Sequence, residues 1–257
     1  IAFALSVAMG PLIIPVLRKL KMGQTEREEG VKSHLKKAGT PTMGGVIILL
    51  SVVITSVIYI KDYPKIIPIL FVTLGFGLIG FLDDYIKVVL KRSMGLRAWQ
   101  KFGLQIIVTA VFAFYLHQYT NVGMAWRIPF MSGQYVDFGI FNIPLIFIVV
   151  LGTVNGTNFT DGLDGLATSV TILVATFFTV CAIGLNAPIT PITCAAVGAL
   201  MGFLLFNGYP ASVFMGDTGS LALGGFVAAC AYMMQLQLFL VIVGFIYVAE
   251  VASVMLQ

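Results

Sequence analysis

Charge is what this sequence has least of. Only 10% of its 257 residues are Asp, Glu, Lys or Arg, where a soluble globular chain carries about 25%. That scarcity excludes a molecule bathed in water on every side. With 59% hydrophobic residues and a mean hydropathy of +1.00, long stretches need a solvent that is itself apolar. Cysteine is scarce too. Cys181, Cys194 and Cys230 stand alone inside apolar runs, with no CxxC spacing and no histidine nearby. That pattern indicates neither a zinc site nor a disulfide framework, and the three read as small packing residues. No GxxxxGK[ST] stretch occurs, which argues against an ATPase. No basic stretch is interleaved with aromatics, so the net charge of +4 is no sign of a nucleic-acid partner. A cleavable signal peptide and an initiator methionine are also missing. The chain starts at Ile1 inside one apolar run and stops at Gln257 inside another, so a sequence clipped at both ends is expected.

What is present is a series of nine apolar segments, roughly 1–17, 44–60, 66–82, 102–116, 140–154, 168–185, 189–206, 220–234 and 238–256. A spanning helix needs ~20 such residues to cross ~30 Å of hydrocarbon. The expected fold class is therefore an all-α integral membrane protein, a polytopic helix bundle forming one transmembrane domain over 1–257. Pro144 shortens the fifth segment in this reading, and only residues 235–237 part the last two, so a break is expected near the end. Two loops, after segments one and three, hold twelve of the fifteen Lys and Arg. By the positive-inside rule those loops are cytoplasmic, which assigns loops of about 18–43, 83–101, 155–167 and 207–219 to that side.

The same parity brings Asp83, Asp84, Asp161, Asp164 and Asp217 to one face. Each has an ordinary explanation as well. Asp83 and Asp84 end an apolar helix, where acids oppose the macrodipole and adjacent carboxylates repel. A divalent cation would relieve both, and Mg²⁺ typically takes one or two carboxylates plus substrate phosphates. Asn155, Asn158, Asp161 and Asp164 recur at every third position, which lines one side of a helical or near-helical turn, although Asn, Asp and Gly also build turns. Asp217, Thr218 or Ser220 either cap the following helix, or their glycine-bearing loop offers N–H groups to a phosphate and leaves Asp217 to a metal. Lys36 and Lys37 precede a turn into the membrane and are either routine positive-inside residues or a phosphate clamp. Glu250 lies within the ninth segment, where a charge is costly and often functional. Asp-rich and Lys-rich loops at one membrane face suggest a diphosphate or nucleotide bridged by Mg²⁺, because phosphoryl transfer depends on positioning and charge neutralisation. Nine spans suggest a lipid acceptor.

The strings GTPTMGG (39–45), DDYIK (83–87), NFTDGLDGLA (158–167) and FMGDTGS (214–220) occur in that order along the chain. Together they resemble the phospho-N-acetylmuramoyl-pentapeptide transferases, which belong to the polyprenyl-phosphate N-acetylhexosamine-1-phosphate transferase superfamily and make lipid I for peptidoglycan. The resemblance implies ten spans, nine of them within this chain, an active site on the cytoplasmic face of the bacterial inner membrane, Mg²⁺ and a homodimer. It implies transfer of phospho-MurNAc-pentapeptide from UDP-MurNAc-pentapeptide to undecaprenyl phosphate, with release of UMP. Carried over by position, Asp83 resembles the general base on the lipid phosphate, with Asp84 beside it at the metal, and Asp217 resembles the principal Mg²⁺ ligand. Gly162, Leu163 and Asp164 would line a uridine pocket. Asn207 and Phe214 would touch the nucleoside, the Phe214 ring stacking on uracil, and Lys37 would reach the diphosphate. Thr42, Asn158 and Asp161 complete the expected substrate set, Asp161 without a defined role. Whether Asp217 forms a covalent intermediate or the lipid phosphate attacks directly is left open. A histidine-rich motif is implied after Gln257.

Three other readings compete, one of them a non-catalytic scaffold, which leaves the clustering of five aspartates unexplained. A sister transferase moving GlcNAc-1-phosphate onto the same lipid shares the aspartate motifs but lacks the GTPTMGG turn. An ion-coupled transporter would place its acids at mid-membrane depth, where only Glu250 is expected.

Overall fold

The structure is a computed structural model that describes residues 1–20, 39–92, 94–119, 125–131 and 133–256. Its elements are α1 (Ala2–Lys19), α2 (Gly45–Tyr59), α3 (Ile66–Val88), α4 (Ala98–Tyr119), β1 (Trp126–Arg127), β2 (Tyr135–Val136), α5 (Asn142–Thr160), α6 (Leu166–Gly184), α7 (Thr190–Asn207), α8 (Gly216–Met233), α9 (Gln237–Val243) and α10 (Phe245–Leu256). Among the described residues six helices are long and apolar enough to cross a membrane: α1, α3, α4, α5 with its 3-10 lead-in, α6 and α7. The chain is thus an all-α protein of membrane type. Its backbone polar groups are satisfied within helices, as a lipid solvent demands. Hydroxyls inside the helices follow suit. Thr73, Thr109, Thr153, Thr157, Thr160 and Thr171 each donate to the carbonyl four residues earlier, which hides a polar atom where water is absent.

Two boundaries differ from the sequence reading, and the break expected near the end is found. Pro144 does not shorten α5. It lies in the first turn, where a missing N–H is tolerated, and α5 runs on to Thr160, so Asn155 and Asn158 are helical and only 161–165 form a loop. Helix α3 likewise carries Asp83 and Asp84 within its last turns and continues to Val88. The ninth apolar segment is broken at Gly244 into α9 and α10.

Helix α8 is the axis of the molecule. Every residue from Thr218 to Met233 is buried, and a helix enclosed all round must be apolar or small on every face. Helices α2, α3 and α5 approach it through glycine. A Cβ on Gly80 would run into the Asp217 carbonyl and the Thr218 nitrogen, one on Gly45 into the Gly219 backbone, and one on Gly224 into the Val154 backbone. Close backbone approach of this type is how helices associate where lipid supplies no hydrophobic drive. At the far end of α8, Trp126 stands edge-on to Tyr232 and Phe138. The ribbon it belongs to pairs Trp126 with Val136 and Arg127 with Tyr135, antiparallel, and Arg127 N–H donates to the Gln235 carbonyl at 3.0 Å.

The obstacle at Gly80 is backbone, which cannot swing aside. Gly80→Ala is expected to cost about 1–3 kcal/mol and to lower the thermal unfolding midpoint of the detergent-solubilised protein; an unaltered midpoint would contradict the close crossing of α3 and α8.

Candidate active site

The first turn of α8 organises the site. The initial N–H groups of a helix have no partner within it and carry its positive end. Here they end on two carboxylates from elsewhere. Asp84 of α3 accepts the N–H of Asp217 at 3.2 Å and that of Thr218 at 2.9 Å, and also the Thr218 hydroxyl at 2.6 Å. Asp161, just past the end of α5, accepts the N–H of Gly216. Burial of its carboxyl, with the negative charges of Asp217 and Asp84 adding, pushes the Asp161 pKa well above the usual carboxylate range against the pull of that N–H. Gly216 has φ +74°, and a Cβ there would lie 2.7 Å from both Asp84 Oδ2 and Thr42 Oγ1. Only glycine fits. These contacts decide where the backbone N–H groups of the 216–220 stretch go. The N–H groups are taken and do not face a phosphate. Nor does the helix cap itself, since Met215 supplies no side-chain cap and Ser220 Oγ donates to the Gly216 carbonyl at 3.0 Å.

With its backbone fixed in this way, Asp217 turns its carboxylate into a cluster of charges. Lys87 of α3 and Lys101 of α4 each donate to Asp217 Oδ2 at 2.9 Å, while Asn158 Nδ2 of α5 donates to Oδ1 at 2.8 Å and to Ser220 Oγ at 2.8 Å. Asp83 is 2% exposed. Its Oδ1 accepts the Leu96 N–H at 2.7 Å, and its Oδ2 pairs with Lys87 and lies 4.0 Å from Lys101 Nζ. The Asp83 and Asp217 carboxyls are themselves within hydrogen-bonding reach of one another. One turn further along α4 and α5, Gln105 and Asn155 exchange amide hydrogen bonds at 2.9 and 3.4 Å.

Two loops flank the cluster. The turn at 39–45 is laced to residues 214–215: Phe214 N–H donates to the Pro41 carbonyl, Gly44 N–H to the Phe214 carbonyl and Gly45 N–H to the Met215 carbonyl, at 2.8, 2.8 and 2.9 Å. Asn207 is buried, with Thr168 donating to its Oδ1 at 2.6 Å and its Nδ2 donating to the Val213 carbonyl at 3.0 Å. Asp164 Oδ2 accepts the Ala211 N–H at 3.1 Å.

Among the described residues no three carboxylate, imidazole or thiol groups converge tightly enough to hold a metal ion by themselves. The Asp83–Asp217 pair nonetheless suits one, since Mg²⁺ keeps several waters and takes one or two carboxylates plus substrate phosphates. Two ammonium groups already occupy the place of a cation there. Asp84, next to Asp83 in sequence, uses both of its oxygens to hold the start of α8.

Residues 66–235 match the family model described as glycosyl transferase family 4, and residues 37–49 match phospho-N-acetylmuramoyl-pentapeptide-transferase signature 1. The chain is 48% identical over 259 residues to the phospho-N-acetylmuramoyl-pentapeptide-transferase of Clostridium perfringens strain 13, covering 100% of this chain and 81% of that protein. It is 49% identical over 262 residues to the one from Acetivibrio thermocellus, covering 100% and 78%. The chain belongs to the phospho-N-acetylmuramoyl-pentapeptide-transferase family. The family signature falls on the turn that is laced to Phe214 and Met215 and ends in α2, so it marks a segment that shapes the cluster.

Of the residues expected at a transferase site, the fold brings Asp83, Asp84, Asp161, Asp217, Asn158 and Thr42 together around the start of α8. Gly162, Leu163, Asp164 and Phe214 lie on the two neighbouring loops, Leu163 exposed and Phe214 half-buried. Asn207 is buried, its Oδ1 tied to Thr168 of α6 and its Nδ2 to Val213 of the 208–215 loop. Lys37 lies outside the described residues. The sequence reading missed Lys101 and Gln105, and it saw Lys87 only as a partner of Asp83. A lysine and a glutamine four residues apart in the first two turns of an apolar helix were the available signal.

Asp84→Ala would leave two backbone N–H groups and the Thr218 hydroxyl without their acceptor. We expect a loss of about 1–3 kcal/mol, read as a lower unfolding midpoint in detergent, with Thr218→Val costing less. Equal stability of Asp84→Ala and the native chain would refute the capping role.

Proposed function

We propose that this chain transfers phospho-MurNAc-pentapeptide from UDP-MurNAc-pentapeptide to undecaprenyl phosphate, giving lipid I and UMP for peptidoglycan. The observation that carries this is the Asp83–Asp217 carboxyl pair, with Lys87, Lys101 and Asn158 upon it, at the foot of a buried helix in a chain of this family. In this reading the ten α-helices of the described residues make nine crossings of the bacterial inner membrane, α9 and α10 sharing one. The cluster faces the cytoplasm, within a single transmembrane domain that works as a homodimer.

Asp217 would hold Mg²⁺ with Asp83 beside it. The ion, when bound, would neutralise charge on the diphosphate and on the departing UMP. Asp83 would take the proton from the lipid phosphate, its carboxyl held in position by the Leu96 N–H and Lys87. Lys87 and Lys101 supply positive charge at the same spot, where electrostatic stabilisation of transferring phosphoryl groups is concentrated. Asn158 keeps Asp217 aimed by holding its second oxygen. Phe214 would stack its ring on the uracil, and the 162–164 loop, exposed at Gly162 and Leu163, would line the uridine pocket. Lys37 would reach the diphosphate from the signature segment, and Thr42 would add its hydroxyl beside Gly216. Asp84 and Asp161 serve the backbone of α8.

The test supplies each UDP-sugar with undecaprenyl phosphate and measures UMP release. Release is expected from UDP-MurNAc-pentapeptide, to require Mg²⁺ and to stop on chelation. Asp217→Asn should lower it by ~100-fold or more while the protein remains folded. Release from UDP-GlcNAc alone would assign the chain to the sister transferase, and near-normal turnover of Asp217→Asn would remove Asp217 from the reaction.

A further inference from the structure

The Asp83–Asp217 pair already has cationic partners. Two carboxylates, Asp83 and Asp217, face two ammonium groups, Lys87 and Lys101, and both ammonium groups lie 2.9 Å from the same Asp217 oxygen. The other Asp217 oxygen is held by Asn158. A divalent cation binding at Asp217 would therefore meet an oxygen that already has two cationic partners, and three like-charged groups cannot share it without strong repulsion.

Which partner yields follows from how each is held. Asp217 is fixed by Asn158 and by the capped first turn of α8, and Asp83 by the Leu96 N–H. The two lysines are held only by the carboxylates themselves. Their side chains are 37% and 19% exposed, and each ends in a compact charge on a flexible four-carbon stem. The lysines can leave; the aspartates cannot.

We propose that Lys87 and Lys101 are resident counter-ions that a divalent cation must displace from Asp217, so that the lysines weaken metal binding in the absence of substrate. This rests on the assignment of Asp217 as the metal ligand. The displaced ammonium groups need a negative partner. An anionic substrate arriving at the site supplies one, and metal and anion then strengthen each other's binding by linkage.

The experiment is Mn²⁺ binding to the detergent-solubilised chain without nucleotide or lipid, followed by the loss of free-Mn²⁺ electron paramagnetic resonance signal. Lys101→Gln is expected to tighten the Asp217-dependent site by about tenfold, the scale of a removed neighbouring charge. Lys87→Gln should shift it the same way, while Lys101→Arg, which keeps the charge, should remain close to native. A catalytic or structural role alone would leave metal affinity unchanged or reduce it. Affinity no tighter than native in both glutamine variants overturns the proposal, even if one of them is poorly folded. Native binding that survives Asp217→Asn overturns it too, together with the metal assignment on which it rests.

Discussion

A helix buried along its whole length has to begin somewhere, and its first N–H groups must find acceptors out of reach of bulk water. For α8 those acceptors are Asp84 and Asp161, one near the end of α3 and the other just past α5. Much of the site follows from that requirement. Satisfying the start of α8 draws α3 and the 161–165 loop onto it, and it forces glycine at 216, where a side chain would strike Asp84 and Thr42. Asp217, the second residue of the helix, is thereby set in one orientation. The close crossing of α3 at Gly80 and of α2 at Gly45 is the same constraint seen from the outside, since no carboxylate could reach these N–H groups across a full-sized side chain.

Charge gathered at such a place has to be paired. Isolated ions are expensive in a partly buried setting, and a pair is tolerated only when further hydrogen bonds complete it. Leu96 N–H and Asn158 play that part for Asp83 and Asp217. The cluster therefore combines a rigid acidic half with a movable basic half, an arrangement suited to meeting phosphates that come and go.

Much of this was legible in the sequence, and the missing part has a physical reason. Counting spans and basic loops brought five aspartates to one face, and the structure gathers Asp83, Asp84, Asp161 and Asp217 around one helix start. The three-residue spacing of Asn158, Asp161 and Asp164 also matters, since all three reach the 211–217 stretch. What adjacency conceals is direction. Asp83 and Asp84 are neighbours in sequence, yet on a helix they point about 100° apart, so one turns to the lysines and the other to the backbone of α8. The bonds that Asn207 makes to Thr168 and Val213 were not legible for a related reason: an amide in a motif reads the same whether it faces a ligand or pins a loop. Lys101 went unseen because its partner lies 116 residues away, and no local pattern records that. The length of α5 was underestimated at its end, where Asn155, Gly156 and Asn158 read as a loop yet remain helical.

The amide pair between Gln105 and Asn155 looks like a minor contact between two helices. Two hydrogen bonds running in opposite directions, however, admit only one rotation of α4 about its own axis. Lys101 stands one turn away on the same face of α4. A slip of α4 by a single residue would swing that lysine by about 100° and carry its charge away from Asp217 into lipid or protein. The pair thus acts as a keyway: it indexes α4, and through α4 it decides which way a positive charge points.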